Sequence, residues 1–221
     1  SYISGHTSGI ISANSQITVK LTKDIIDKNG NSDIIPGEFL EEELLTFDPK
    51  IDGESYWSDS RTLVFEPNKS LKREITYKAK FRLKSLVKES NKDFDFLFKV
   101  MPQNYEVTVD GIAIDESEVN IHGYVETADY TELSSIEKII EASQNGKLLK
   151  VIWNHDVDKI HNFIIQEVEK GIDKSEVFIS WNGDAIGVDK EGSEIFEIPG
   201  EGEHEIVSSR VVTQNENYIS I

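Results

Sequence analysis

The stretch WSDSRTLVFEP, residues 57–67, joins a polar turn to an apolar strand. Ser58, Asp59 and Ser60 have short polar side chains, which commonly bond to nearby backbone amides in turns. The next residues, TLVF (62–65), are β-branched, aliphatic and aromatic, and such residues favour strands. The stretch therefore predicts a β-hairpin. Its hydroxyls and carboxylate also raise the possibility of a catalytic edge.

Segments of the same kind recur along the chain at intervals of roughly ten residues. Predicted strands lie in QITVKLT (16–22), SLKREITYKAKFRL (70–83), DFDFLFKV (93–100), YEVTVDGIAI (105–114), KLLKVIW (147–153), HNFIIQEV (161–168), SEVFISW (175–181) and HEIVSSRVV (204–212). FLEEELLTFDP (39–49) fits either a helical turn or the start of a strand. Asn182-Gly183 suits a tight turn. No alternation of helices with strands is present, which argues against a parallel nucleotide-binding sheet.

One helix is predicted near residues 134–145. Ser134 and Glu137 have the spacing of a capping box, and Gly146 suits the C-terminal cap. Three isoleucines would share a helical face: Ile136, Ile139 and Ile140.

The charge distribution predicts two domains. Residues 1–102 hold 15 Lys and Arg against 16 Asp and Glu, whereas residues 103–221 hold 8 against 25. Such a contrast indicates two modules with different surfaces. We expect β-sandwiches over residues 1–102 and 103–212.

Composition excludes several classes of function. The chain has no Cys, so it can form neither disulfides nor thiolate sites. A net charge of −18 over 221 residues argues against binding nucleic acid, which requires a basic face. No stretch approaches the roughly 20 apolar residues of a membrane span. The chain begins with Ser1 and no leader pattern, so we expect it to be a processed or excised piece.

The best candidate for a metal site is WNHDVDKIH, residues 153–161. His155, Asp156, Asp158 and His161 are suitable ligands for a divalent metal. The histidines are six residues apart across an apparent strand-loop-strand junction, whereas the zincin pair lies four apart on a helix. A solvated hairpin tip is therefore the favoured interpretation.

A second candidate is DKNGNSDIIPGE, residues 27–38. Asp27, Asn29, Asn31, Asp33 and Glu38 match the ligand positions of a calcium loop. The loop glycine is replaced by Ser32, and flanking helices are not predicted. A turn-rich insertion would have the same residue composition without binding calcium.

The other candidates are weaker. The remaining histidines, His6, His122 and His204, have no recognisable catalytic frame, and no G-x-S-x-G elbow occurs. GEGEHE (200–205) is too acidic to cradle phosphate. Three tryptophans near strand ends favour core packing over a sugar-binding platform: Trp57, Trp153 and Trp181. No catalytic, cofactor-binding or metal-binding residue is therefore assigned.

The chain resembles the N-terminal portion of bacterial alpha-2-macroglobulin family proteins of the Bacteroidetes type. The resemblance rests on ISGHTSGIIS (3–12), LLTFDPKIDGESYWSDSRTLVFEPNKSL (44–71), DFDFLFKVMPQNYEV (93–107), and more weakly on WNHDVDKIHNF (153–163), VFISWNG (177–183) and EIPGEGEHEIVSSRV (197–211). The pattern positions in the first module are Phe47, Pro49, Gly53, Trp57, Thr62, Leu63, Phe65, Pro67 and Tyr77.

The resemblance implies macroglobulin-like or Ig-like sandwiches from an extracytoplasmic protease trap, commonly a lipoprotein of the periplasm. The bait region and any thioester would lie outside this chain, as would the lipid anchor and the contacts with target proteases. By the same resemblance, residues 213–221 would begin a truncated third domain. The expected partners of this segment are the other domains of its parent chain. The alternative is an Ig-like module of a secreted or surface bacterial protein that binds glycan or protein.

Overall fold

The chain divides into two units, Ser1–Pro102 and Gln103–Ile221. The computed structural model describes residues 2–25, 34–87, 90, 92–115 and 118–200, apart from the side chains of residues 114, 115 and 156. The division falls where the charge balance of the sequence changes.

The described residues of the first unit form two four-stranded sheets. In chain order its elements are β1 (Ile3–His6), β2 (Gly9–Ile11), β3 (Ile17–Leu21), β4 (Leu45–Asp48), β5 (Gly53–Trp57), β6 (Thr62–Pro67), β7 (Thr76–Phe81), α1 (Leu83–Leu86) and β8 (Phe94–Val100). The strand orders are β1-β3-β6-β5 and β2-β8-β7-β4. All pairs are antiparallel except β2 with β8, which is parallel.

The two sheets of the first unit enclose one apolar core. Alternate residues of β3 and β7 point inward, including Ile17 and Val19 from one sheet and Ala79 and Phe81 from the other. Burial of these side chains removes apolar area from water, which is the main stabilising term of such a sandwich. The rings of Phe47 and Phe65 connect the sheets with centroids 4.6 Å apart.

In its described residues, the second unit is also a sandwich of two four-stranded sheets. Its elements are β9 (Tyr105–Asp115), β10 (Glu118–Thr127), α2 (Leu133–Ile136), β11 (Ile140–Gln144), β12 (Lys147–Leu148), β13 (Lys150–Val157), β14 (Ile160–Val168), β15 (Ser175–Asn182), a 3₁₀ turn (Asp184–Ile186) and β16 (Glu191–Ile198). The orders are β13-β14-β10-β9 and β12-β11-β15-β16, with every pair antiparallel. The predicted fold class, mainly β with antiparallel sandwiches, is confirmed.

The helix predicted near residues 134–145 is wrong over most of its length. Helix α2 ends at Ile136, and residues 140–144 form strand β11. The inward-facing positions of β11 are Ile140, Ala142 and Gln144. Because one of these residues is small and another is polar, the alternation of apolar and polar residues typical of a strand is not evident in the sequence. The burial of Gln144 is tolerated because its side-chain amide donates hydrogen bonds to Glu169 O and Ser175 Oγ at 2.9 and 3.0 Å.

The supposed cap of that helix is a hairpin turn. Asn145 and Gly146 have φ of 51° and 78°, and they connect β11 to β12. Two consecutive positive φ values in a two-residue loop are typical of a type I′ turn, for which Asn-Gly is the favoured sequence.

Other boundaries also differ from expectation. Asn182 ends β15 and Gly183 directly precedes the 3₁₀ turn, so this pair is not a tight hairpin turn. Strands β1, β2, β10 and β16 and helix α1 were not predicted from the sequence. The ambiguous segment 39–49 enters strand β4. The strand expected at 204–212 and the third domain expected at 213–221 lie outside the described residues.

Candidate functional site

The histidines of the 153–161 segment meet at one end of the second sandwich. His155 lies on β13 and His161 lies at the start of β14. Their Nδ1 atoms are 3.0 Å apart, so one ring donates a hydrogen bond to the other. Trp153 stacks on the His155 ring at a centroid distance of 5.8 Å and an interplanar angle of 9°. The hairpin thus places an aromatic cluster beside a turn in which Val157 and Asp158 are exposed.

Burial dominates the electrostatics of this pair. His161 is only 4% exposed, and this desolvation lowers the pKa of its imidazole. The nearby His155 lowers that pKa further, whereas Asp158 opposes the shift. His161 Nε2 is buried and has no hydrogen-bond partner within the described part of the chain. The neutral form of His161 is therefore the one that the fold favours.

The described side chains do not assemble the metal site suggested by the sequence. Glu137 Oε1 lies 3.4 Å from His155 Nε2, on the opposite side of the ring from His161. Asp158 is exposed in the turn between β13 and β14. The side chain of Asp156 lies outside the described set. Within the described residues, no group of three or more His, Asp or Glu side chains could hold a metal ion.

The polar residues of WSDSRT form a turn. Asp59 Oδ1 accepts hydrogen bonds from the backbone amides of Arg61 and Thr62 at 2.8 and 2.9 Å. Those amides lower the pKa of the Asp59 carboxyl, since they favour its charged form. Ser60 Oγ donates to Asp24 Oδ1 at 2.7 Å. These groups hold the β5–β6 connection together at an exposed position.

The remaining candidates fall in different places. Of the calcium-loop residues, Asp27, Asn29, Asn31 and Asp33 lie outside the described residues, as do His204 and the segment 200–205 apart from its first residue. Glu38 is exposed. His6 Nδ1 donates to Thr7 O at 2.9 Å, and the ring contacts Phe94 and Phe96 at 5.1 Å. His122 lies on β10 opposite Ile164 and Gly111.

The tryptophans contribute to packing. Trp57 is 4% exposed and belongs to the core of the first unit. Trp153 and Trp181 are partly buried against the core of the second. A Cβ at Gly192 would collide with the Trp181 indole, which shows how closely that ring covers β16. Neither ring is presented as an open stacking platform.

Sequence inspection missed a pair of hydrogen bonds between Tyr105 and Lys190, which are far apart in the chain. Tyr105 OH donates to Lys190 O at 2.6 Å, and Lys190 Nζ donates to Tyr105 O at the same distance. The Lys190 ammonium also lies 5.3 Å from the centre of the Tyr105 ring. Burial, together with Asp184 and Glu191, raises the pKa of Tyr105 to about 12. Because 85 positions separate the partners, no local motif could reveal them.

Comparisons with known proteins do not define a family. No protein-family model and no curated protein matches the chain. Among solved structures, an L,D-transpeptidase from Mycobacterium tuberculosis H37Rv aligns over 78% of this chain and 62% of its own, at 9% identity and a TM-score of 0.31. The chain thus spans less than two thirds of that protein's length.

Two further structures give similar values. L,D-transpeptidase 3 from Mycobacterium tuberculosis, in complex with a faropenem-derived adduct, aligns over 89% of this chain and 73% of its own, at 9% identity and a TM-score of 0.31. Bovine butyrophilin aligns over 90% of this chain and 96% of its own, at 9% identity and a TM-score of 0.27. Scores this low carry no argument about family or activity.

No helix in the described residues is long and apolar enough to cross a membrane.

Proposed function

We propose that this chain is a non-catalytic scaffold segment of an alpha-2-macroglobulin-like protease inhibitor. The proposal rests on the resemblance of its residues to the N-terminal domains of that family. Its partners would be other domains of the same extracytoplasmic parent protein. The bait region, any thioester and any lipid anchor would be supplied by other parts of that protein.

The observation that carries this proposal is the structural role of the family-like pattern in the first unit. Trp57, Leu63 and Phe65 are buried in the core, where they join β5 and β6 to the opposite sheet. Gly53 pairs with Pro67, and a Cβ at this glycine would collide with the Glu66 carbonyl and the Phe65 ring. Each of these pattern positions has a packing explanation, as expected of a scaffold domain.

The polar clusters add support. Asp59 and Ser60 are engaged in turn contacts, and His155 and His161 bond to each other. A general base must reach the proton of a reacting group, and a nucleophile needs such a base beside it. Among the described residues, neither histidine is hydrogen-bonded to a serine or threonine hydroxyl. The contacts favour a structural role for these groups.

Protease challenge of the parent protein tests the proposal. The gene that encodes this chain should be sequenced beyond Ile221 and its full product purified. We expect the full product to be cleaved by endopeptidases and then to reduce their activity on protein substrates. The isolated 221-residue chain should have no such effect, because it supplies framework only.

Two results would contradict the proposal. One is inhibition by the isolated chain at the same molar ratio as the full product. The other is a reading frame that ends near Ile221, which would replace the scaffold with a free-standing binding module. A catalytically inactive protease serves as the control. It should neither cleave the full product nor be captured by it, because the proposed trap depends on cleavage.

A further inference from the structure

The outer face of the β12-β11-β15-β16 sheet carries a row of exposed apolar side chains. Phe178 on β15 is paired directly with Ile195 on β16, and on its other side with Ser143 on β11. Ser143 is in turn paired with Leu148 on β12. Leu148, Phe178 and Ile195 are 64%, 45% and 59% exposed, respectively. Single exposed apolar residues are ordinary, whereas exposed apolar side chains grouped on one face and rimmed by polar residues are typical of interaction surfaces.

Acidic side chains border this row. Glu176 and Glu197 are directly opposite each other on β15 and β16, two positions along from Phe178 and Ile195. Glu141 lies on β11, opposite Ser180, on the other side of the row. All three glutamates are exposed, and none forms an ion pair within the described part of the chain. Like charges directly opposite across a sheet are destabilising. Cationic groups from outside would offset this repulsion.

We propose that this face binds a short segment of another protein that presents apolar side chains flanked by Lys or Arg. The apolar row supplies the contact area, and the glutamates select the charge of the partner. The inference uses only the second unit and does not depend on the protease-inhibitor proposal.

The size of the face favours a short segment over a second copy of the chain. Four strands about 4.8 Å apart, with about 3.4 Å per residue along them, give a face of only about 20 by 25 Å. One edge is narrower still, because β12 has only two residues. A stable homodimer usually buries about 800 Å² or more on each partner. The glutamates would also face each other in a symmetric pair, which opposes self-association.

Fluorescence anisotropy can test the proposal with the full chain. The probe is a short labelled peptide in which Lys alternates with Leu and Phe, and the control peptide has Glu in place of Lys. We expect saturable binding of the Lys peptide alone, weakened by salt. Phe178→Ser combined with Ile195→Ser should weaken binding roughly tenfold or more, since apolar anchors at the centre of a contact dominate affinity. Leu97→Ser, which changes an exposed leucine of the first unit, is the matched control and should bind as wild type.

A charge test separates this face from the general acidity of the unit. Glu176→Gln with Glu197→Gln should weaken binding about threefold to tenfold, as expected for two exposed charge contacts. Glu118→Gln with Glu132→Gln removes the same charge from exposed positions elsewhere in the second unit and should leave binding unchanged. Three results would overturn the proposal: no saturable binding, equal weakening by both glutamine pairs, or sedimentation showing that the face instead holds a second copy.

Discussion

Trp57 shows at the scale of one residue how the fold uses its aromatic side chains. It ends β5 with its ring 4% exposed, opposite the fully buried Leu63. We predict that Trp57→Ala lowers the free energy of unfolding of the first unit by about 3–5 kcal/mol, because it leaves a cavity in the core. Denaturant unfolding followed by circular dichroism measures this loss.

Ser60→Ala is the matched control in the same hairpin. Its hydroxyl bonds to Asp24 at an exposed position, so its removal should change the unfolding free energy by less than about 1 kcal/mol. If Trp57→Ala were as mild as Ser60→Ala, the assignment of Trp57 to the core would be wrong.

His161 is predicted to make the second unit sensitive to pH. Burial and His155 lower the pKa of this imidazole in the folded state, whereas an unfolded histidine titrates near 6.5. As pH falls below about 6.5, the unfolded state takes up a proton that the folded state resists. Stability is therefore lost on acidification, by at most about 1.4 kcal/mol per pH unit for one proton, and reaches a limit below the folded pKa.

Unfolding measured between pH 7.5 and 5.5 checks this sign. The groups that face the pair are Glu137 from the end of α2 and Asp158 from the turn. His161→Asn should flatten the pH dependence, whereas His122→Gln, a change on the other face of the sheet, should retain it. If the His161 imidazole titrated above pH 6.5 by NMR in the wild-type chain, this explanation would be refuted.

At the scale of the element, the β11–β12 connection provides a sharp test of the corrected hairpin. Gly146 has a φ of 78°, and a Cβ there would meet nothing within 4 Å. Gly146→Ala should thus cost about 1–2 kcal/mol through backbone conformation alone. Gly171→Ala is the control, since its nearest contacts are ordinary and its φ is not in the left-handed region. Equal stability of the two variants would contradict the type I′ turn.

Strand β7 is an example of a strand that the sequence predicted well. Strand β7 presents Tyr77, Ala79 and Phe81 to the core and lysines to solvent, so its period of two is unmistakable. Strand β11 lacks such a clear period because buried Gln144 is satisfied by partners 25 and 31 positions away. A long-range hydrogen bond leaves no local trace in the sequence.

The candidate site was predictable in part for the same reason. The proximity of His155 and His161 follows from a hairpin, which the sequence indicated. His155 lies where the register between β13 and β14 shifts, between Asn154 and Val157, and no residue pattern specifies this shift. The apolar row was also hidden, because Phe178 and Ile195 become neighbours only when β15 and β16 pair.

For the whole molecule, the difference in charge between the two units predicts different responses to salt. The second unit has the larger negative charge, and salt screens the repulsion between like charges. Raising NaCl from low to physiological concentration should therefore stabilise the second unit more than the first. Chemical denaturation at the two salt concentrations, monitored by residue-specific NMR signals, provides the comparison.

Differential scanning calorimetry of the full chain most directly tests its description as two self-contained β-sandwiches. We expect two unfolding transitions, of which Trp57→Ala lowers only the one belonging to the first unit. NaCl should shift the other transition more strongly. A single salt-independent transition that moves as a whole in Trp57→Ala would contradict the account.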